Sequence, residues 1–286
     1  MRGQQTIYRY PDSRNIVLAL YDMQLEKLGT PFHDIFVDTR FGKAHVVETG
    51  NLARRPLLLL HGGNATTAYN LLSFRFLFED FHIYAADIAG HPGKSDEASL
   101  SPQNDDYGFW LSDVISALGF KCMCCCAGSF GAGVLAKAIR VAPEKIEKAV
   151  LIVPSGIRNA IAGSMKMIPP LVLYRATRKE AYLVKCILPM ALTEDNIDAD
   201  TLETVRRTLD HVKVKAGMPG NIHLTEPSAV PTLVMAAERD CLFPASRVLP
   251  RAKQLFAECT AYTLTGRGHM CALTEEEKRM ICTYIL

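Results

Sequence analysis

The chain of 286 residues is 49% hydrophobic and 22% charged, with a formal net charge of +2. This is material for one filled core carrying an insertion, and the near-neutral balance gives no reason to expect nucleic acid or an anionic membrane as partner. The longest apolar stretches, such as Pro56 to Leu60 and Ala149 to Pro154, are far too short to cross a bilayer, so no membrane span is expected.

At the amino terminus Met1-Arg2-Gly3-Gln4-Gln5 lacks the apolar run of a secretory leader, which makes a cytoplasmic location the expectation. Ser13 to Leu28 reads as an amphipathic helix capped by Asp12 or Ser13, a decoration ahead of the core. Phe32 to Thr39 and Lys43 to Glu48 form a hairpin around Arg40-Phe41-Gly42. Pro56 to Leu60, a short continuous apolar run ending in His61-Gly62-Gly63, suits a strand buried on both faces of a parallel sheet. The pattern then repeats as helix Tyr69 to Glu79, strand His82 to Ala86, helix Asp105 to Leu118, strand Lys121 to Cys126, helix Phe130 to Val141 and strand Ala149 to Val153.

After Pro154 the alternation stops. Gly156 to Ser228 holds only helix-like patterns, among them Tyr174 to Leu188 and Asp200 to Val214, with Pro169-Pro170 and Gly217-Met218-Pro219-Gly220 as punctuation. Strand, helix and strand return at Thr232 to Ala237, Pro244 to Phe256 and Thr260 to Leu264, before a last helix from Thr274. The pattern predicts an α/β fold, a mostly parallel, doubly wound sheet with right-handed crossovers. Residues 31–155 and 229–286 form its core, 156–228 a helical cap inserted after the sixth core strand, and 1–30 a helical extension.

Nine cysteines are present, and four of them, Cys122, Cys124, Cys125 and Cys126, crowd one predicted strand. Neighbouring strand residues face opposite sides and cannot converge on one metal, so these are read as small core residues and no metal site is expected. Cys241 and Cys271 adjoin the candidate catalytic residues below, where they would make the protein sensitive to thiol reagents.

In open α/β sheets ligands bind at the carboxyl ends of the strands. The strand Lys121 to Cys126 runs into Ala127-Gly128-Ser129-Phe130-Gly131 and then into a helix. A lone serine among small residues at a strand-to-helix change is what a nucleophile elbow requires, with Ala127 at the position usually held by glycine. Other strand ends offer His61-Gly62-Gly63-Asn64, Asp87, Glu238-Arg239-Asp240 and Gly266-Arg267-Gly268-His269. A serine hydroxyl is a weak nucleophile, and an imidazole must take its proton during attack and return it to the leaving group. His269 would do this, oriented by an acid. Asp240 is favoured over Glu238, which lies in the strand end, and over Asp87, which heads a tight turn, although Asp240 could instead cap the helix near Pro244. The N–H groups of Gly63 and Phe130 would receive the oxyanion, His61 would support that loop, and His91 reads as a turn residue.

With those residues in place the chain resembles the α/β-hydrolase superfamily from Phe32 to its end. The landmarks are His61-Gly62-Gly63, the turn Asp87 to Ser95 with Pro92 as one extra residue, Ala127 to Gly131, Glu238 to Pro244, and Gly268-His269. Within that superfamily it is similar to the small, capped, esterase-like branch, which also includes C–C bond hydrolases, haloperoxidase-like enzymes and aminopeptidases. The resemblance implies a triad of Ser129, Asp240 and His269 with neither metal nor organic cofactor. A serine at 129 speaks against the dehalogenases and epoxide hydrolases of this fold, which use aspartate.

The expectation is a serine hydrolase acting on a small carboxylic ester. The alternatives are a C–C bond hydrolase of diketone-like acids using the same triad, and a noncatalytic ligand-binding homologue. Asn64, Met165, Met167 and Tyr174 are candidate pocket residues, and Ile168, Leu171 and Leu173 add apolar surface that could equally be the packing face of a cap helix. Arg158, Arg175 and Arg178 would either bind a substrate carboxylate or form a solvated face. A homo-oligomer is compatible with the chain.

Overall fold

Four consecutive leucines set the middle of the sheet. The computed structural model describes residues 6–286 apart from 99 and 214–216, with 161 and 162 described by backbone alone. Met1 to Gln5, and Val214 at the predicted end of one cap helix, lie outside the described residues. The elements begin with α1 (Ser13–Glu26), β1 (Phe32–Thr39), β2 (Gly42–Gly50), β3 (Arg55–Leu60), α2 (Thr67–Ser73), β4 (Phe81–Ala86) and α3 (Asp106–Ala117). They continue with β5 (Met123–Gly128), α4 (Ser129–Val141), β6 (Ile146–Ile152), α5 (Ile168–Thr177), α6 (Glu180–Ala191) and α7 (Ala199–His211). The chain closes with β7 (Thr232–Ala237), α8 (Ala245–Leu255), β8 (Cys259–Leu264) and α9 (Glu275–Ile285).

The strands form one sheet of eight in the order β1-β2-β4-β3-β5-β6-β7-β8. β2 pairs antiparallel with β1 and β4, and every other pair is parallel. β3 lies between β4 and β5, where a strand must be apolar on both faces. Leu58 and Leu60 enter one buried cluster, which helices α3, α4 and α8 cover with Trp110, Leu135 and Val248. Leu57 and Leu59 enter the other, covered by Tyr21 of α1, Leu71 of α2 and Ile281 of α9. The cysteines of β5 divide the same way, Cys125 on the first face and Cys124 and Cys126 on the second. A period of two thus separates neighbours in sequence.

Four local differences from the predicted elements have physical causes. The strand predicted at Lys121 to Cys126 runs two residues later, because Ala127 and Gly128 pair with Leu151 and Ile152 of β6. The helix predicted at Tyr69 to Glu79 is α2 followed by a short 3-10 turn at Arg75–Leu77. The helix predicted at Tyr174 to Leu188 is two helices, since Arg178 takes φ 58° and its N–H closes α5 on the Tyr174 carbonyl. Pro169-Pro170 is no break but the first turn of α5, where a missing N–H costs nothing. Helix α1 is also more than a decoration: Tyr21 is fully buried, and Gln24 donates to Thr204 of α7 at 2.9 Å.

Tyr21 leads to the charged group beneath the site. Its hydroxyl lies 3.2 Å from both carboxylate oxygens of Asp87, the residue after β4. Asp87 also accepts from the Lys94 N–H at 2.8 Å and faces His45 Nδ1 at 2.8 Å, while His45 Nε2 faces Asp34 at 2.8 Å. Both ring nitrogens of a fully buried imidazole meet carboxylates, so both carry protons. Burial alone would lower the pKa of His45, but Asp87 and Asp34 outweigh it and raise the value. Burial would likewise raise Asp87, and His45 outweighs it to hold the carboxyl low.

Removing one partner of a buried pair costs about 3–5 kcal/mol. His45→Gln is therefore expected to lower unfolding free energy by an amount of that order in acid. Because the folded pKa of His45 is raised, its contribution is complete below the ordinary histidine value and declines as pH rises through the folded one. Urea unfolding of both proteins from mildly acidic to alkaline pH should show the gap narrowing upward; a gap that widens would contradict the assignment.

Candidate active site

β5 passes into α4 without a connecting residue, and Ser129 is the first residue of the helix. It takes φ 51°, a left-handed conformation that costs a non-glycine residue about 1–3 kcal/mol and lifts the side chain clear of both elements. Steric need for glycine falls unevenly across the elbow. A Cβ at Gly131 would lie 2.5 Å from the His61 carbonyl oxygen and 2.9 Å from Leu60 Cβ, whereas one at Gly128 would meet nothing within 4 Å. Ala127 is buried and pairs in register with Leu60, a strand position that tolerates its methyl group. The Ser129 carbonyl is held from the other side by the Ser155 N–H at 3.1 Å and the Ser155 hydroxyl at 3.0 Å.

Two loops bring an imidazole and an acid to this point. His269 Nε2 lies 2.9 Å from Ser129 Oγ, and Nδ1 lies 2.8 Å from Asp240 Oδ2. The other oxygen of Asp240 accepts the N–H groups of Leu242 at 2.7 Å and Phe243 at 3.0 Å, and Phe243 packs edge-on to the imidazole. Burial would raise the Asp240 pKa, but His269 and the two N–H groups outweigh it and hold the carboxyl below its ordinary value. An ionised Asp240 accepts a hydrogen bond from Nδ1–H, which fixes that tautomer and leaves the Nε2 lone pair for Ser129. Of the acids weighed from sequence, Glu238 instead accepts the Gly266 N–H at 2.7 Å, and Asp87 belongs to the His45 network.

The glycine loop after β3 lies against the elbow. A Cβ at Gly63 would come within 3.2 Å of Phe130 Cβ, and one at Gly62 within 3.6 Å of Ser129 Cβ. His61 fixes this loop: its Nδ1–H donates to the Gly62 carbonyl at 2.7 Å, and its Nε2 accepts the Ile88 N–H at 2.9 Å. Burial lowers its pKa, in keeping with a neutral ring. His91, read from sequence as a turn residue, is buried, accepts the Asn64 N–H at 3.0 Å and packs on Phe130 with ring centroids 4.4 Å apart. Asn64 itself has φ 55°, and its carbonyl accepts the Thr208 hydroxyl of α7 at 3.0 Å.

Residues between β6 and β7 reach each of the three loops. Besides Thr208, Ala160 N–H donates to the Leu242 carbonyl at 2.8 Å in the acid loop, and Met270 N–H donates to the Met190 carbonyl at 3.0 Å beside His269. A Cβ at Gly268 would stand 2.4 Å from that same Met190 oxygen. Among the pocket candidates, Tyr174 is corrected: it is buried with Leu183, Ile187 and Leu209 in the core of the helical cap, and its hydroxyl donates to Asp210 at 3.0 Å. Met165 is exposed and Met167 half-buried. The thiols beside the site are disfavoured as nucleophiles, since burial pushes Cys241 up to about 11 and also raises Cys271.

Sequence reasoning placed His91 in its turn but missed its bond to Asn64, and it missed Ser155 and Thr208. Ser155 was findable, because it follows β6 and so stands at a strand end like the others. Thr208 carries no local signal, as only the fold sets α7 over Asn64.

No family model matches the chain. The carboxylesterase YbfK of Bacillus subtilis strain 168 is 25% identical over 270 residues, covering 90% of this chain and 88% of that protein. The crystal structure of naproxen esterase from Bacillus subtilis superposes with TM-score 0.80 at 18% identity, covering 97% of this chain and all (100%) of that one. That of carboxylesterase CesB (YbfK) from the same organism gives 0.79 at 21% identity, covering 96% and 98%.

The uneven glycine requirement is testable. Gly131→Ala is expected to destabilise the protein by about 1–3 kcal/mol through overpacking against the His61 carbonyl, and Gly128→Ala to stay near wild type. Thermal or urea unfolding of the two variants measures the ranking, and equal stabilities would refute it.

Proposed function

The chain has the α/β-hydrolase fold in its esterase-like form, and from that premise we propose that it is a serine hydrolase cleaving a small carboxylic ester through an acyl-enzyme on Ser129. The observation that carries this reading is the unbroken contact from Ser129 Oγ through His269 to Asp240, at 2.9 and 2.8 Å, on a serine held in the left-handed conformation. The carboxylesterase relatives support the choice of ester over the C–C bond reading.

In the first half-reaction Ser129 Oγ adds to the ester carbonyl while Nε2 of His269 accepts its proton. Asp240, ionised and doubly held by Leu242 and Phe243, stabilises the imidazolium without itself taking the proton. Negative charge on the carbonyl oxygen would fall to the N–H groups of Gly63 and Phe130, a role that the close approach of the glycine loop to the elbow supports. The C–O bond then breaks, the alcohol leaves with the proton from His269, and the acyl group stays on Ser129. Water, deprotonated by the same imidazole, adds to the acyl carbon, and the acid departs as Ser129 recovers its proton. The helical cap between β6 and β7 would bound the acyl or alcohol pocket.

A fluorophosphonate should add once to the wild-type protein and not at all to Ser129→Ala, read by intact mass, with nitrophenyl esters from acetate to octanoate sizing the pocket. No adduct in folded protein would move the ligand-binding reading to the front. A diketone-like acid cleaved almost as well by Ser129→Ala would favour C–C bond hydrolysis. For the acid, Asp240→Asn should lower kcat by about 10⁴-fold while Glu238→Gln stays close to wild type. Steady-state kinetics on one ester checks the ranking, and its reversal would sink the assignment of Asp240.

A further inference from the structure

The helix α5 has its apolar surface on the wrong side for a soluble cap. Leu171 and Tyr174 face the cap core, as expected of an amphipathic helix. Yet Ile168, Pro169, Val172, Leu173 and Ala176 are all exposed, a second apolar stripe at helical spacing on the outer face. Met165, in the 3-10 turn Ile161–Met167 that leads into α5, extends it. Exposures of 63% for Met165, 53% for Ile168, 59% for Val172 and 44% for Leu173 are far above what burial of such side chains would leave. Concentrated apolar surface of this kind marks an interaction face, where scattered exposed residues would not.

Charge around the stripe is one-sided. Between residues 156 and 193 the chain carries Arg158, Lys166, Arg175, Arg178, Lys179 and Lys185 but a single acid, Glu180, although the whole protein is only +2. Glu180 is taken up by Arg206 of α7, and Arg178 by Asp210. Lys166, Arg175 and Lys179 stay exposed beside the apolar residues.

We propose that this outer face of the cap, α5 and the turn before it, docks on an anionic lipid surface, with Ile168, Val172 and Leu173 entering the acyl boundary and Lys166, Arg175 and Lys179 meeting the headgroups. Apolar side chains flanked by lysine and arginine on one helix are the composition of an interfacial anchor. A second copy of the chain is disfavoured as occupant, because a two-fold contact would press like cations together. An outer helix ridge also suits a plane better than it suits a peptide, which needs a groove. Docking would hold the cap, and through its bonds to the Asn64, Leu242 and Met270 loops the candidate site, at the phase where apolar esters collect. Vesicle binding itself stands apart from the proposed ester chemistry and is read without turnover.

The test is flotation of the intact protein with phosphatidylcholine vesicles, with and without phosphatidylglycerol, at low and high salt. Wild type is expected to float with the anionic vesicles, less so as salt rises, and hardly with the neutral ones. Val172→Asp, and Lys166→Glu combined with Lys179→Glu, should each bind roughly tenfold more weakly. Both variants change exposed side chains and should turn over nitrophenyl acetate as wild type does. Absence of wild-type binding to anionic vesicles, or binding that neither variant weakens, would overturn the proposal. A dimer in sedimentation velocity that Val172→Asp dissociates, with no vesicle binding, would give the face to a second copy instead.

Discussion

The close approach of Gly131 to the His61 carbonyl is the contact on which the site depends. It lets α4 start directly on the end of β5 and press against the end of β3, so that the serine and the glycine loop are neighbours because two adjacent parallel strands end together. A side chain at 131 would push these elements apart and separate Ser129 from Gly62 and Gly63. Position 127 bears no such load, which is why alanine serves there. The left-handed φ of Ser129 lies at this same junction, a conformation uncommon for a residue other than glycine.

Two buried aspartate–histidine pairs lie beneath this contact, and their surroundings give them opposite chemistry. His45 meets a carboxylate at each ring nitrogen, which favours its charged form and leaves neither nitrogen facing a reacting group. His269 meets one carboxylate and presents its second nitrogen to a serine, so it can gain and lose a proton. A third imidazole, His61, is neutral and purely a brace between the Gly62 carbonyl and the Ile88 N–H. The Asp87 turn thus supports the site through the backbone, fixing the glycine loop by way of His61 and His91, while its carboxylate stays committed to His45 and Tyr21.

The cap is bound to the core by backbone and hydroxyl contacts at the three loops that carry function. A shift of α6 or α7 would therefore be felt at His269 or at Asn64. The near-neutral total charge of the chain conceals this region, since six cations against one acid in the first half of the cap are cancelled by acids elsewhere. An average over the chain is silent about a patch.

Much of the architecture was legible because it rests on local rules. Continuous apolar runs marked the inner strands, glycines and prolines marked the turns, and Ser129, Asp240 and His269 could be picked out because ligand sites gather at strand ends. What escaped were properties set by contact between distant segments. The break at Arg178 depends on a left-handed cap with no glycine to announce it, and the burial of Tyr174 and Tyr21 depends on which helices cover them. His91 became a brace only when its turn folded over Phe130, and Thr208 acquired a partner only when α7 crossed Asn64. Residue types suited to acid–base and nucleophilic chemistry could be read from the chain, together with the strand ends at which they were expected. Tertiary structure alone decided which acid faces which imidazole and which apolar stripe of α5 is left exposed, because hydrogen bonding and burial act over a few ångströms in space and not over positions in a chain.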